Sequence, residues 1–264
     1  MRRARPGRIP WGLVALASVG VVFFALPLVG LVARVPWAEI PSVLTDPVAL
    51  EALRLSLLAS LGATLISLVV GVPLAWVLAR VEFPGQGLVR GLVLLPLVLP
   101  PVVGGAALLF ALGRSGLVGA PLYEATGLVL PFSMSGLVVA VTFVSMPFLV
   151  VTAEAGFRNL DRRYETAAEG LGAGSWTVLR RVTLPLAYPA LLAGSVLTWA
   201  RALGEFGATI TFAGNLPGET QTLPLAVFVA LEGGDPAAEV LSLLMVAISL
   251  LVLLALRDRW LTSR

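Results

Sequence analysis

Along the chain, uncharged apolar runs alternate with short polar segments, and six of the runs reach or approach the length of a bilayer-crossing helix. A helix rising about 1.5 Å per residue needs about 20 apolar residues to cross a hydrocarbon core of about 30 Å. The runs fall at 11–33, 55–79, 91–113, 135–153, 184–213 and 238–257. The fifth is interrupted only by Arg201 and Glu205, and the sixth holds an uninterrupted stretch, Val240–Leu256, flanked by Ala237, Ala238 and Trp260. This pattern predicts an all-α integral membrane protein with six transmembrane helices. The first run follows Arg2, Arg3, Arg5 and Arg8, as a secretory leader would. It is longer than a leader's apolar stretch and has no small-x-small site at its end, so it reads as an uncleaved first helix.

The basic residues orient the bundle. All 18 are Arg, and 14 of them fall in residues 1–10, in the loops after spans two and four, and at the C-terminal end. The opposite side holds Arg34, Arg54 and Arg114, and Arg201 lies within span five. Cytoplasmic loops collect basic residues, so both termini are expected inside, with 1–10 and 258–264 as cytoplasmic ends and 154–183 as a cytoplasmic loop.

Composition agrees and removes whole classes of chemistry. Hydrophobic residues make up 58% of the chain and charged ones 12%, with a mean hydropathy of +0.97; soluble domains carry about a quarter charged residues. There is no Lys, His or Cys. A Walker A loop needs its Lys, a hydrolytic triad usually needs His, and structural zinc needs Cys or His. No cofactor or metal is therefore expected on this chain, and no disulfide can form. The sequence pI near 10.1 comes from Arg residues dispersed between apolar runs, which fits membrane topology and not a nucleic-acid face.

Two features inside the spans carry candidate chemistry. Span three holds Pro96, Pro100 and Pro101, followed by Gly104 and Gly105. Helix breaks at membrane depth are tolerated where neighbours or a wet cavity satisfy the freed carbonyls. The segment either lines a path or bends only to pack. Gly62 and Gly71 read as close helix contacts. Arg201 and Glu205, four apart on one helix face, are the only charges in the interior of a span; Glu239 and Arg257 stand at the ends of the sixth. They either neutralise each other in the bundle or place Arg201 at a water-filled cavity, where it would offset a passing anion. Thr209, Thr211 and Asn215 are candidate neutral donors farther along, and the outer loop Gly214–Asp235, which has no basic residue, is a candidate docking surface. One acid beside an Arg is a poor proton relay, which disfavours an ion-coupled transporter, and the absence of His disfavours an intramembrane protease.

The longest polar stretch begins at Glu154. Asp161 is a fair N-cap for a short helix stopped by Gly170 and Gly172, and Ser175 can cap a second, Trp176–Val182, ended by Pro185. Ala167, Ala168 and Leu171 form a narrow apolar stripe between charged flanks, suited to close approach by another backbone or to lying on lipid headgroups. The order Thr166-Ala167-Ala168, three residues, Gly172, nine residues, Val182-Thr183-Leu184-Pro185 resembles the EAA loop of ABC importer permeases. Thr166 stands where that motif has Glu, with Glu165 one residue earlier, and Val182 stands for Ile. The segment Arg201–Pro224 and the run Leu95–Gly105 resemble the molybdate/tungstate permease family, with sulfate/thiosulfate permeases sharing much of Leu203-Gly204-Glu205-Phe206-Gly207.

The resemblance implies a type I importer permease bundle in the cytoplasmic membrane, with a coupling helix between spans four and five. Glu165, Thr166, Ala167, Ala168, Leu171, Gly172, Leu184 and Pro185 would face a separate ATP-binding subunit, which alone would use ATP and Mg. Arg201, Glu205, Thr209, Thr211, Asn215, Pro100 and Pro101 would lie along the pathway. An identical second permease and an extracytoplasmic oxyanion-binding protein would complete the assembly.

Overall fold

The structure is a computed structural model and describes residues 11–261; the N-terminal residues 1–10 and residues 262–264, expected at the cytoplasmic ends, lie outside the described residues. The described chain is helical throughout: α1 (Trp11–Arg34), α2 (Ile40–Leu44), α3 (Pro47–Arg80), α4 (Gln86–Val98), α5 (Pro101–Leu112), α6 (Gly119–Thr126), α7 (Met134–Asn159), α8 (Arg163–Gly170), α9 (Ser175–Leu203), α10 (Gly207–Phe212), α11 (Leu223–Gly233) and α12 (Ala237–Leu261). Four of these, α1, α3, α7 and α9, are by length and composition able to cross a bilayer.

The bundle is built around α7. It packs on α3, α4, α5, α9 and α10, and more than half of its most apolar window is buried. Helix α1 is the opposite case: none of its residues is buried, and it touches the rest of the chain mainly through α12. A helix that is apolar on every side and uncovered by protein is suited to lipid.

Small residues set how closely the helices approach. Along α3, the buried small residues Ala52, Ser56, Ala59, Ala63, Ser67, Gly71 and Ala75 recur every three or four residues and form one stripe, widened by Ser60 beside Ala59. A Cβ on Gly71 would meet Val150 at 3.2 Å, and one on Gly62 would meet Val138 at 3.5 Å, so both glycines are close helix contacts as expected. Serine hydroxyls within the stripe tie distant elements: Trp199 Nε1 donates to Ser60 Oγ at 3.0 Å, and Leu223 N donates to Ser56 Oγ at 2.7 Å. In an apolar surrounding such bonds meet polar groups that water cannot reach.

Proline placement explains the irregular turns. Helices α3 and α9 each contain a π turn, Ser67–Gly71 and Leu179–Thr183, and a proline follows each by two residues, Pro73 and Pro185. The wider turn absorbs the hydrogen bond that proline cannot donate. Pro185 therefore does not end the second loop helix, as the sequence suggested; α9 runs unbroken from Ser175 to Leu203. Ser175 is not its side-chain cap, because Gly174 occupies that position without a capping bond. At Pro100-Pro101 there is no such relief. Leu99 and Pro100, each preceding a proline, are extended (ψ 132° and 129°), and span three divides into α4 and α5.

Candidate functional site

Two constellations stand out, one at each of two helix breaks or junctions. The first lies between α9 and α10. Span five is not one helix: α9 stops at Leu203, and α10 begins at Gly207. Arg201 and Glu205 therefore do not share a continuous helix face, which corrects the expectation. Glu205 sits in the break, where its Oε1 accepts from Ala208 N at 2.7 Å, capping α10. Its Oε2 lies 2.6 Å from Arg201 Nη2. The Glu205 side chain is 1% exposed and that of Arg201 28%. The carboxylate is enclosed and already holds the positive end of α10, while the guanidinium reaches accessible space.

The two breaks adjoin. A Cβ on Gly207 would lie 2.8 Å from Pro101 Cβ, and one on Gly105 would lie 2.7 Å from Thr211 Cβ and 2.9 Å from Ala208 O. Helices α5 and α10 thus cross with almost no space, and the prolines that open span three stand beside the glycine that restarts span five. Of the other candidate pathway residues, Thr211 donates its hydroxyl to Gly207 O at 2.8 Å. Thr209 is fully buried with no partner for Oγ1, and the Asn215 Oδ1 is buried without one. These groups do not form an open row of donors within the single chain. Thr198 Oγ1 and Thr222 Oγ1 are likewise buried and unpartnered, and the sequence reading missed both.

The crossing gives a direct expectation. Gly105→Ala forces a methyl into atoms 2.7–2.9 Å away and should destabilise the fold by about 1–3 kcal/mol, read as earlier loss of monodispersity on heating the purified permease. Gly62→Ala, with only 3.5 Å contacts, is the comparison and should change little.

The second constellation joins α3, α4, α7, α8 and α9. Helix α8 covers the expected segment, but its N-cap position is Arg162, not Asp161, whose Oδ1 accepts from Arg163 N at 2.9 Å from one residue earlier. The helix ends before Gly172, whose φ is +83°. That left-handed conformation is one glycine adopts without strain. Glu165 turns inward: Oε1 accepts from Thr183 Oγ1 at 2.7 Å and from Arg80 Nη2 at 3.2 Å. The acid of this loop is therefore spent on tying α8 to the ends of α3 and α9, and is not presented outward. Thr166 and Ala167 are exposed, Ala168 is partly covered, and Leu171 and Trp176 are 90% and 72% exposed. Leu184 is half-buried, Pro185 is exposed, and both belong to α9 and not to the exposed tip.

Beside this tie, Glu154 is buried and joins two helices: its Oε1 lies 2.8 Å from Arg90 Nη2 and 3.0 Å from Arg158 Nη2. Leu78 O, at the end of α3, accepts from Gln86 Nε2 at 2.8 Å. The sequence reading took Glu154 only as the start of a loop; its i,i+4 spacing from Arg158 was the available signal.

The segment Gly214–Asp235 differs from the loop expected. It contains α11, and Thr220, Gln221, Thr222 and Leu223 are buried. The exposed parts reduce to 216–219, with most of the C-terminal half of α11, and 234–236.

This architecture, a helical bundle with broken spans and an exposed helix tethered at one end, has known counterparts. Residues 67–262 match the model of the binding-protein-dependent transport system inner membrane component family, and the chain belongs to that family of multi-pass transport permeases. It is 46% identical over 254 residues to the molybdenum transport system permease protein ModB of Mycobacterium tuberculosis, covering 96% of each chain. It is 38% identical to the sulfate transport system permease protein CysT of Escherichia coli, covering 88% of this chain and 84% of that one. Its fold matches that of a bacterial ABC transporter involved in import of the acidic polysaccharide alginate, with a TM-score of 0.77 at 18% identity over 96% of both chains.

Proposed function

We propose that this chain is the membrane permease of an ABC importer for a tetrahedral oxyanion, molybdate or the nearly isosteric tungstate. The observation that carries the reading is the end-to-end likeness to a molybdenum permease, higher in identity and coverage than the likeness to a sulfate permease. In this reading the chain crosses the cytoplasmic membrane six times with both termini inside, span three being α4 and α5 together, and span five being α9 with α10. Two identical copies enclose one pathway. Arg201 faces that pathway, a role supported by its exposure beside an enclosed Glu205. It lowers the potential for a dianion without holding it in a deep well. The exposed residues of α8 and the turn after it, Leu171 foremost, dock a cytoplasmic ATP-binding subunit, and an extracytoplasmic binding protein delivers the anion to the opposite end.

The deciding experiment is uptake by proteoliposomes containing the permease, its ATPase and its binding protein. ATP-driven accumulation of labelled molybdate, competed by tungstate and little by sulfate, is the expected result; preference for sulfate would overturn the cargo. Topology has its own test. Reporter fusions at Pro41, Tyr123 and Glu219 should read outside and those at Gly85 and Gly174 inside. An outside signal at Gly174 would rule out contact between α8 and a cytoplasmic ATPase.

A further inference from the structure

A cavity of about 340 Å³ opens where the end of α3, the start of α4 and the α7–α8 junction meet, its lining including Leu78, Arg80, Glu82, Gln86, Arg158 and Arg162. Three guanidinium groups border it, and their hydrogen-bonding capacity is not used up by the protein. The Arg80 side chain is 8% exposed, its Nη2 meets Glu165, and its unpartnered Nε is enclosed by protein and does not open into the cavity. Arg158 shares the Glu154 carboxylate with Arg90, and its bond to Leu78 O is long, at 3.4 Å, on a carbonyl that also accepts from Gln86 at 2.8 Å and from Arg90 at 3.5 Å. Arg162 makes no ion pair among the described residues. The charged residues lining the cavity are Arg80, Arg158, Arg162 and the exposed Glu82; Glu165 and Glu154 engage Arg80 and Arg158, which leaves Arg162 as the lining cation without an ion pair among the described residues.

A cluster of guanidinium groups with unused N–H donors suits the oxygens of a phosphate. We infer that this cavity binds a phosphate-type tetrahedral oxyanion group, carried either by the headgroup of an anionic phospholipid or by a free anion. Basic pockets between membrane helices are known headgroup sites. A neighbouring cavity of about 320 Å³ under α8 is also lined by Arg80 and Arg162, together with Glu165. An oxyanion in the first cavity therefore draws on the same Arg80 that holds Glu165, and its occupancy bears on how firmly α8 is tethered. The site is defined by this chain's own side chains and does not depend on the transported cargo.

The test uses the full-length permease in nanodiscs of phosphatidylcholine alone, or with about one-fifth phosphatidylglycerol. Native mass spectrometry reads retained phosphatidylglycerol, and equilibrium dialysis reads labelled inorganic phosphate and molybdate. Arg162→Glu should lower occupancy about tenfold and Arg162→Gln severalfold. Arg163→Glu makes the same charge change one residue away, on a side chain that is 92% exposed and does not line the cavity, and should leave occupancy within about twofold. Arg162-dependent retention of phosphatidylglycerol identifies a lipid source, and Arg162-dependent binding of the free ions a soluble one. No binding of either, or equal loss in the Arg162 and Arg163 variants, overturns the site. All three substitutions fall on exposed residues, so a monodisperse elution profile verifies folding independently of binding.

Discussion

Replacing Glu205 by Ala is expected to abolish assembly of the permease. The substitution leaves Arg201 without the carboxylate 2.6 Å away and removes the acceptor for Ala208 N. Breaking an enclosed ion pair from one side costs about 3–5 kcal/mol, a large share of a typical fold's stability. Glu205→Gln keeps an acceptor for the α10 cap and should be milder by about 1 kcal/mol. The informative variant is the double replacement of Arg201 and Glu205 by Gln, which removes both charges together. Fluorescence-detected size exclusion should show assembly largely restored, while ATP-driven molybdate uptake stays lost, because the favourable potential along the path is gone. Full recovery of uptake would make the pair purely structural.

A comparably large effect is expected at the exposed turn after α8 and the start of α9. Trp176→Ala and Leu171→Asp remove apolar surface that is 72% and 90% exposed in the isolated chain, so neither should disturb the permease fold. Exposed aromatic and aliphatic anchors carry much of the energy of a docked interface, about 2 kcal/mol or more at a central position. Co-purification of the ATPase and stimulated ATP hydrolysis should therefore fall at least about tenfold, with insertion unchanged. Gly172→Ala separates contact from conformation: no atom lies near its missing Cβ, but φ is +83°. It should cost about 1 kcal/mol through strain alone, with a correspondingly smaller loss of coupling. Normal ATPase recovery with all three variants would return this segment to a lipid-surface role.

The apolar pattern located α1 and the starts of α7 and α12 to within one residue, because lipid imposes a length that composition reveals. Helix α7 runs six residues past 153 to Asn159, through Glu154 and Arg158, which pair with each other, and α12 runs four residues past 257. The start of α3 was placed late. Glu51 and Arg54 interrupt the run yet pair with each other at 3.2 Å on its exposed first turns, and Asp46 caps it. Pro100-Pro101 announced a break correctly. The break at 204–206 was less legible, since Gly204 and Gly207 sit in an otherwise apolar run and Glu205 reads equally well as a helical residue. The inward turn of Glu165 could not be read at all. It depends on Arg80, 85 positions away, and no local pattern signals such a partner.

Helix α1 illustrates how differently parts of one membrane chain are constrained. It buries no residue within the chain, and the family match begins only at residue 67, well past its end. Substitution along α3 must respect a stripe of small side chains position by position. Along α1, within the single chain, one apolar residue serves nearly as well as another, provided the whole still partitions into lipid. The demand on α1 within the single chain is therefore on its length and apolar composition, whereas the demand on α3 is on the size of each side chain.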